Sequence, residues 1–238
     1  MSDEIMVLLV VFLAVFTQSF SGFGSAMVAM ALLPSVLGIK EATSLVALVM
    51  LVMEAYLIYH YRHALNIKGI WRVVMAAVFG IPIGIIFLSR LDEKVVLTGL
   101  GVVITGYALF ALIKVRLPQL KHPAWGYFFG FLGGLLGGAY NTSGPPVILY
   151  GDCRGWEPEA FKSNLQGYFL VVSIIVALGH AWDGNFTLNV WRYFLISIPA
   201  LVVGIFGGTS LDKFTNKETF RKAVLALLVV MGVRLIVS

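Results

Sequence analysis

The chain has 238 residues, of which 59% are hydrophobic and only 12% are charged. A soluble domain is about half apolar and roughly a quarter charged, so this composition excludes a soluble globular protein and is typical of a chain folded in a lipid bilayer. The net charge of +5 does not indicate nucleic-acid binding, because polytopic membrane proteins collect Lys and Arg in their cytoplasmic loops. The single cysteine, Cys153, excludes an internal disulfide and a cysteine metal cluster.

Charge-free runs divide the chain into predicted membrane segments. A transmembrane helix needs about 17–25 residues. The runs of suitable length are Ala42–Tyr61 (interrupted by Glu54), Val73–Ser89, Val95–Ile113, Ser163–Trp182 and Tyr193–Leu211, and Ala223–Val233 reaches that length once its charged flanks are included.

Two other runs have the wrong length for a single helix. Ile5–Ile39 has 35 residues and Pro123–Gly151 has 29, whereas two full crossings would take about 40. Each contains a helix breaker, "SFSGFGS" at Ser19–Ser25 and "LLGGAYNTSGPP" at Leu135–Pro146. We therefore expect two broken hairpins, which are either re-entrant or made of two short tilted crossings.

The two halves of the chain resemble each other. "KEATS" follows the first broken run and "PEAFKS" follows the second, and the Ile-Pro pair at Ile81-Pro82 recurs at Ile198-Pro199. Leu91-Asp92 likewise recurs at Leu211-Asp212. These matches predict an all-α polytopic membrane protein built from two four-segment repeats, residues 1–117 and 118–238, each starting with a broken hairpin.

The charge distribution indicates how these repeats are oriented. If each broken run returns to its starting side, twelve Lys and Arg residues lie on one face and five on the other. If each crosses once, the division is nine to eight. The positive-inside rule favours the first arrangement, which inverts the second repeat and places both termini outside the cytoplasm.

The second break has the residue types of an anion site. Pro145 and Pro146 suit the first turn of a new helix, Thr142 and Ser143 are N-cap types, and Asn141 carries amide donors. Non-helical backbone at membrane depth survives only inside protein or beside a water-filled cavity, and a helix N-terminus attracts anions. The matching glycines and serines of the first break extend the prediction, so that the candidate binding residues at the two breaks are Ser21, Gly22, Gly24, Ser25, Asn141, Thr142, Ser143 and Gly144.

Further polar residues lie in the segments that follow the breaks. Thr43 and Ser44 occupy matching places to Ser163, Asn164 and Gln166, and all five are candidate binding residues; Thr43 and Ser44 equally suit hydrogen bonds back to their own helix. The recurrence of Gly126, Gly130 and Gly134 at every fourth position indicates close helix packing instead.

Glu54 is the one acidic residue inside a predicted span. Such a carboxyl group is a candidate for proton coupling, and the alternative is that its side chain leans toward the membrane edge. The histidines show no metal-ligand spacing and are expected near the interfaces, so we expect no metal and no cofactor.

The chain resembles the TauE/SafE family of membrane transporters over nearly its whole length. The resemblance rests on "SGFGSAMVAMALLP" (Ser21–Pro34), "ATSL" (Ala42–Leu45) and "GFLGGLLGGAYNTSGPPVILY" (Gly130–Tyr150). It implies transport of organosulfonates, sulfite or related anions across a bacterial or archaeal cytoplasmic membrane. The family often has Gly-Ile-Gly-Gly-Pro-Pro where this chain has Asn-Thr-Ser-Gly-Pro-Pro, so polar side chains here are expected to alter substrate choice.

These patterns together predict a secondary transporter, and no enzyme, that moves a small sulfur-containing oxyanion through a central site at the two breaks. The expected partners are that anion and the lipid bilayer, with assembly into a homo-oligomer left open. The alternatives are an anion channel, a transporter of another small carboxylate or oxyanion, and an intramembrane hydrolase that uses Ser143 with a histidine such as His180.

Overall fold

The computed structural model describes residues 3–113, 117–211 and 217–237, and the regular secondary structure in these ranges is helical. A short 3-10 helix, Arg62–Ala64, follows α4. In chain order the α-helices are α1 Asp3–Ser21, α2 Ser25–Leu32, α3 Pro34–Leu37, α4 Ile39–Tyr61, α5 Ile67–Arg90, α6 Glu93–Ile113, α7 Trp125–Tyr140, α8 Gly144–Arg154, α9 Pro158–Trp182, α10 Leu188–Leu211 and α11 Lys217–Val237.

Within the described ranges, six helices are long and apolar enough to cross a membrane: α1, α4 with its 3-10 extension, α5, α6, α9 and α10. Five of them contain the runs that were predicted as single spans. The chain is therefore a multi-pass membrane protein. Asp212, the second member of a Leu-Asp pair used for the repeat, lies outside the described residues.

Both predicted helix breaks are present. The first separates α1 from α2 at residues 22–24, and the second separates α7 from α8 at residues 141–143. The helices after the breaks have 8 and 11 residues, which corresponds to about 12 and 16 Å of length. Neither spans a hydrocarbon core of about 30 Å alone.

The chain forms two compact units, and each contains segments from both halves of the sequence. Unit 1 comprises residues 1–49, 91–115 and 184–238, and unit 2 comprises residues 50–90 and 116–183. Helix α4 is divided between them. The predicted repeats, residues 1–117 and 118–238, are a different division of the chain from these compact units. The repeats stay a prediction.

Within unit 1, α1 runs in the same direction as α10, since Gly204 packs on Val15 and Gly208 packs on Ser19. Helix α6 runs antiparallel to α11: Gly101 lies against Ile236, and Thr105 lies against Gly232. Glycine at these points lets the helix backbones approach closely.

Within unit 2, α5 and α7 run in the same direction with their backbones in contact. A methyl group on Gly130, Gly134 or Gly138 would overlap the backbone of the facing residues, which are Val73, Ala77 and Ile81. The packing interpretation of this glycine face is therefore confirmed. Helix α9 packs against α5, α7 and α8.

Candidate functional site

Helix α7 ends because Asn141 adopts a left-handed conformation, with φ 56° and ψ 5°. Among the described residues other than glycine, it alone has positive φ. Asparagine tolerates this conformation better than most residues. The Asn141 N–H donates to the Gly137 carbonyl at 2.8 Å, so this residue closes the helix as well as bringing an amide to the break.

Helix α8 begins as the two prolines predicted, but Ser143 does not cap it through its side chain. Ser143 stands at the N-cap position, followed by Gly144, Pro145 and Pro146. An N-cap hydroxyl accepts a hydrogen bond from the second or third residue of the helix, and here both are prolines without an N–H. The capping hypothesis was wrong for that reason, and the remaining N–H donors at this end belong to Ser143 and Gly144.

Two buried hydroxyl groups in unit 2 lack a well-formed hydrogen bond. The Oγ1 atom of Thr142 is one, in a residue that is 1% exposed, and the hydroxyl of the fully buried Tyr168 on α9 is the other. Tyr168 directs its hydroxyl at the break, where it interacts with the side chain of Ser143 and comes against Gly133 of α7. A buried polar group without a partner costs roughly 1–3 kcal/mol, so the Thr142 hydroxyl suits a ligand.

Most of α5, α7, α8 and α9, the helices around the second break, carries no charged side chain. Phe169 of α9 is a close neighbour of Gly144, and Val172 of α9 is a close neighbour of Gly137. The runs 73–89, 123–151 and 163–182, which supply most of α5, α7, α8 and α9, contain no Asp, Glu, Lys or Arg. A ligand at this break would therefore meet neutral donors.

The start of α9 has a structural function that the sequence did not reveal. The Ser163 hydroxyl donates to the Tyr61 carbonyl at 2.6 Å, and the Asn164 side chain accepts from the Asn66 N–H at 2.8 Å. Both residues thus hold the connection between α4 and α5. Gln166 is fully buried on the same helix. The predicted binding functions of these three residues stay predictions.

The serines of the first break, in unit 1, donate to the protein itself. The Ser21 hydroxyl lies 2.6 Å from the carbonyl oxygens of both Thr17 and Phe23, and the Ser25 hydroxyl donates to the side-chain oxygen of Gln18. Gly22 and Gly24 have φ 89° and 107°, so both need the freedom of glycine. For Ser21 and Ser25 to donate to an anion, as the sequence predicts, these bonds would have to be exchanged.

A small pocket adjoins the first break within unit 1. Its walls are mostly apolar and come from α1, α2 and α11. The lining residues are Thr17, Ser21, Phe23, Gly24, Met27, Phe220, Val224, Leu225 and Leu228.

Helix α4 carries the remaining candidates. Thr43 donates to the carbonyls of Ile39 and Lys40 at 2.9 Å, and Ser44 donates to that of Lys40 at 2.8 Å, as the back-bonding alternative predicts. Glu54 is only 2% exposed. This burial contradicts the alternative that its carboxyl group leans out to the membrane edge.

The histidines differ in burial, and their predicted position near the membrane interfaces stays a prediction. His60, His63 and His122 are exposed, but His180 is buried at 1% exposure because it lies on the packed face of α9. In the described ranges, no group of three or more His, Cys, Asp or Glu side chains could hold a metal ion.

Comparison with known proteins identifies the family. The model of the sulfite exporter TauE/SafE family matches residues 7–235. The chain belongs to the TauE/SafE family. It is also 29% identical over 232 residues to a protein of Cupriavidus necator described as "Probable sulfite/organosulfonate exporter TauE", with 92% of this chain and 88% of that protein covered. No solved structure matches the chain.

TauE/SafE proteins are transporters, so this chain is a membrane transporter and not an enzyme. Two residues of interest at the breaks of this transporter escaped the sequence analysis. Gln18 precedes the first break and is buried at 3% exposure, and Tyr168 lies 24 residues after Gly144. Gln18 could have been identified from the sequence as a polar residue in an apolar run. Tyr168 could not, because tyrosines are common in membrane proteins, where they are enriched at the interfaces.

Proposed function

We propose that this transporter moves a small sulfur-containing oxyanion, sulfite or an organosulfonate, and binds it at the second helix break. One observation carries the proposal: the break lies inside a membrane-embedded unit and contains a buried hydroxyl, that of Thr142, without a hydrogen-bond partner among the described residues. The description of the relative from Cupriavidus necator as a probable sulfite/organosulfonate exporter supports the substrate class and export as the direction.

The break offers what an oxyanion needs. The N-terminus of α8 provides the positive end of a helix dipole and the N–H groups of Ser143 and Gly144. The Asn141 amide and the hydroxyls of Thr142 and Ser143 are further donors at successive positions. Sulfite and sulfonate groups present three oxygen acceptors around one sulfur atom, so donors that converge from several directions suit them.

We further propose that residues 1–117 and 118–238 are inverted repeats. Gly22 and Asn141, 119 residues apart, both end a helix with positive φ, and both donate their N–H to the carbonyl four residues earlier, at 2.7 and 2.8 Å. Helix α1 of the first half corresponds to α7 of the second, and α5 corresponds to α10. Interchanging the two halves therefore turns the parallel pair α1–α10 into the parallel pair α7–α5. An antiparallel α6–α11 pair is what a two-fold axis in the membrane plane would produce.

The proposed location is the cytoplasmic membrane of a bacterium or archaeon, with both chain termini outside the cytoplasm. The twelve-to-five division of Lys and Arg supports this orientation. Fusion of a reporter that is active only outside the cytoplasm to residue 238 should give an active reporter. Activity of a cytoplasm-specific reporter at that position would contradict the orientation.

Calorimetry on the purified protein tests the binding site. Sulfite and methanesulfonate should each be titrated into the wild type, into Ser143→Ala, and into Ser89→Ala as a control, since Ser89 is an exposed residue at the end of α5. We expect binding to the wild type and the control, and an affinity roughly tenfold lower for Ser143→Ala. A wild type that binds neither anion would overturn the proposed function. A Ser143→Ala variant with unchanged affinity would overturn the proposed site.

A further inference from the structure

Tyr168 buries a hydroxyl group at a position where an apolar side chain would bury none. It lies nearly three turns into α9, its side chain is fully buried, and its ring packs edge-on against Phe169 at 5.7 Å. Phenylalanine would fill the same space without burying a hydroxyl. The tyrosine oxygen interacts with the side chain of Ser143 and has no further hydrogen-bond partner among the described residues, so part of its hydrogen-bonding capacity is left for a ligand.

The position of this hydroxyl indicates what satisfies it. It interacts with the side chain of Ser143, the residue that begins α8, and it occupies the space that a Cβ atom on Gly133 would take. The Ser143 carbonyl oxygen lies 3.1 Å from that same Cβ position. The phenol is therefore directed at the break from α9, while Thr142 brings to the break a buried hydroxyl that has no hydrogen bond among the described residues.

The hydrogen-bond donors at the second break are few and uncharged, and this limits the charge of the anion that they can stabilise. Pro145 and Pro146 remove two of the N–H groups that a helix start normally offers, and no Lys or Arg occurs in residues 123–151 or 163–182. The cost of taking an ion out of water grows with the square of its charge, so a dianion costs about four times as much as a monoanion of the same size. A few neutral donors can offset the desolvation cost of a monoanion far more readily than that of a dianion.

We propose that the Tyr168 hydroxyl is a substrate-binding group, and that the neutral donor set it forms with Thr142 selects monoanions bearing an –SO3 group over dianions such as sulfate. The proposal rests on the proposed function, because it names the charge class of the anion at that same site. Sulfite fits this selection in its singly protonated form, and sulfonates fit it at any pH near neutral.

Tyr168→Phe removes one oxygen atom and keeps the ring. The affinity for methanesulfonate, measured by calorimetry in detergent, should fall roughly ten- to hundredfold, as for loss of a hydrogen bond to a charged group. The melting temperature without ligand should change little, because the ring and its packing are kept. Tyr107→Phe is the matched control: Tyr107 is a buried tyrosine on α6 in unit 1, and its variant should bind methanesulfonate as the wild type does.

The wild type should also bind methanesulfonate at least about tenfold more tightly than sulfate. Thr142→Val should weaken methanesulfonate binding without loss of folding. A Tyr168→Phe protein that binds with wild-type affinity, or that fails to fold, would overturn the assignment of the hydroxyl to the substrate. Equal affinities for methanesulfonate and sulfate would overturn the charge selection, whereas a wild type that binds no anion would instead overturn the proposed function.

Discussion

The backbone N–H of Asn66 donates a hydrogen bond of 2.8 Å to the side-chain oxygen of Asn164, 98 positions later in the chain. The same asparagine, Asn66, accepts a hydrogen bond from the Gly69 N–H at 3.0 Å and so caps the start of α5. One side chain of α9 therefore fixes the short connection through which α4 passes into α5.

Replacing Asn164 with alanine should destabilise the protein. The Asn66 N–H would lose its acceptor in a partly buried place, which costs about 1–3 kcal/mol, or several degrees of melting temperature for a protein of this size. Thermal unfolding in detergent measures the change. Asn189→Ala, at an exposed position on α10, is the control and should melt like the wild type. An Asn164→Ala protein with unchanged melting temperature would show that the bond contributes nothing.

The helices and their interruptions were predictable because they depend on composition along the chain. Charge-free runs of about 20 residues predict spans, and the "SGFG" and "NTSGPP" stretches cannot continue a helix. The helix pairing was not predictable, because it depends on which glycine faces meet. Gly130, Gly134 and Gly138 indicated close packing, but nothing in the sequence indicated that α5 is the partner of α7.

The candidate site was predictable only in part, for a similar reason. The residues within the breaks stand out because they are polar or glycine in an apolar context. Sequence cannot tell whether a hydroxyl is already bonded, and here Ser25 donates to Gln18 while Thr142 makes no such bond. Nor does it show that Tyr168, on another helix, reaches Ser143, since that contact depends on how α9 is rotated about its axis.

The two functions of Asn141 can be separated by two substitutions. Asn141→Gly keeps a residue that adopts φ 56° freely but removes the amide, so the protein should remain stable and bind sulfite or methanesulfonate more weakly. Asn141→Ala removes the amide and also forces alanine into a left-handed conformation, at a cost of roughly 1–2 kcal/mol. Thermal unfolding and calorimetry on both variants measure the two effects. If Asn141→Gly binds these anions with wild-type affinity, the amide is not part of the binding site.

Glu54 offers a test of proton coupling, because its carboxyl group is buried and its neutral isostere is glutamine. Glu54→Gln fixes a neutral side chain of nearly the same shape. If Glu54 carries a coupling proton, the variant should retain anion binding but lose transport that a pH gradient drives in proteoliposomes. Exchange of labelled anion without a gradient should continue. Gradient-driven transport at the wild-type rate in Glu54→Gln would exclude this residue as the proton carrier.

The backbone contact between α5 and α7 should make Gly134 intolerant of even one methyl group. Its Cβ would lie 2.6 Å from the Cα atom of Ala77, well inside van der Waals distance, so the two helices would have to separate. We expect Gly134→Ala to lose several kcal/mol of stability, as overpacked sites do. Gly106 on α6 is the matched control, because a Cβ there meets no atom within 4 Å, and alanine is favoured over glycine in a helix by about 1 kcal/mol. Thermal unfolding should therefore show a lower melting temperature for Gly134→Ala and an equal or higher one for Gly106→Ala. Equal melting temperatures for the two variants would mean that α5 and α7 are not packed backbone to backbone at this point.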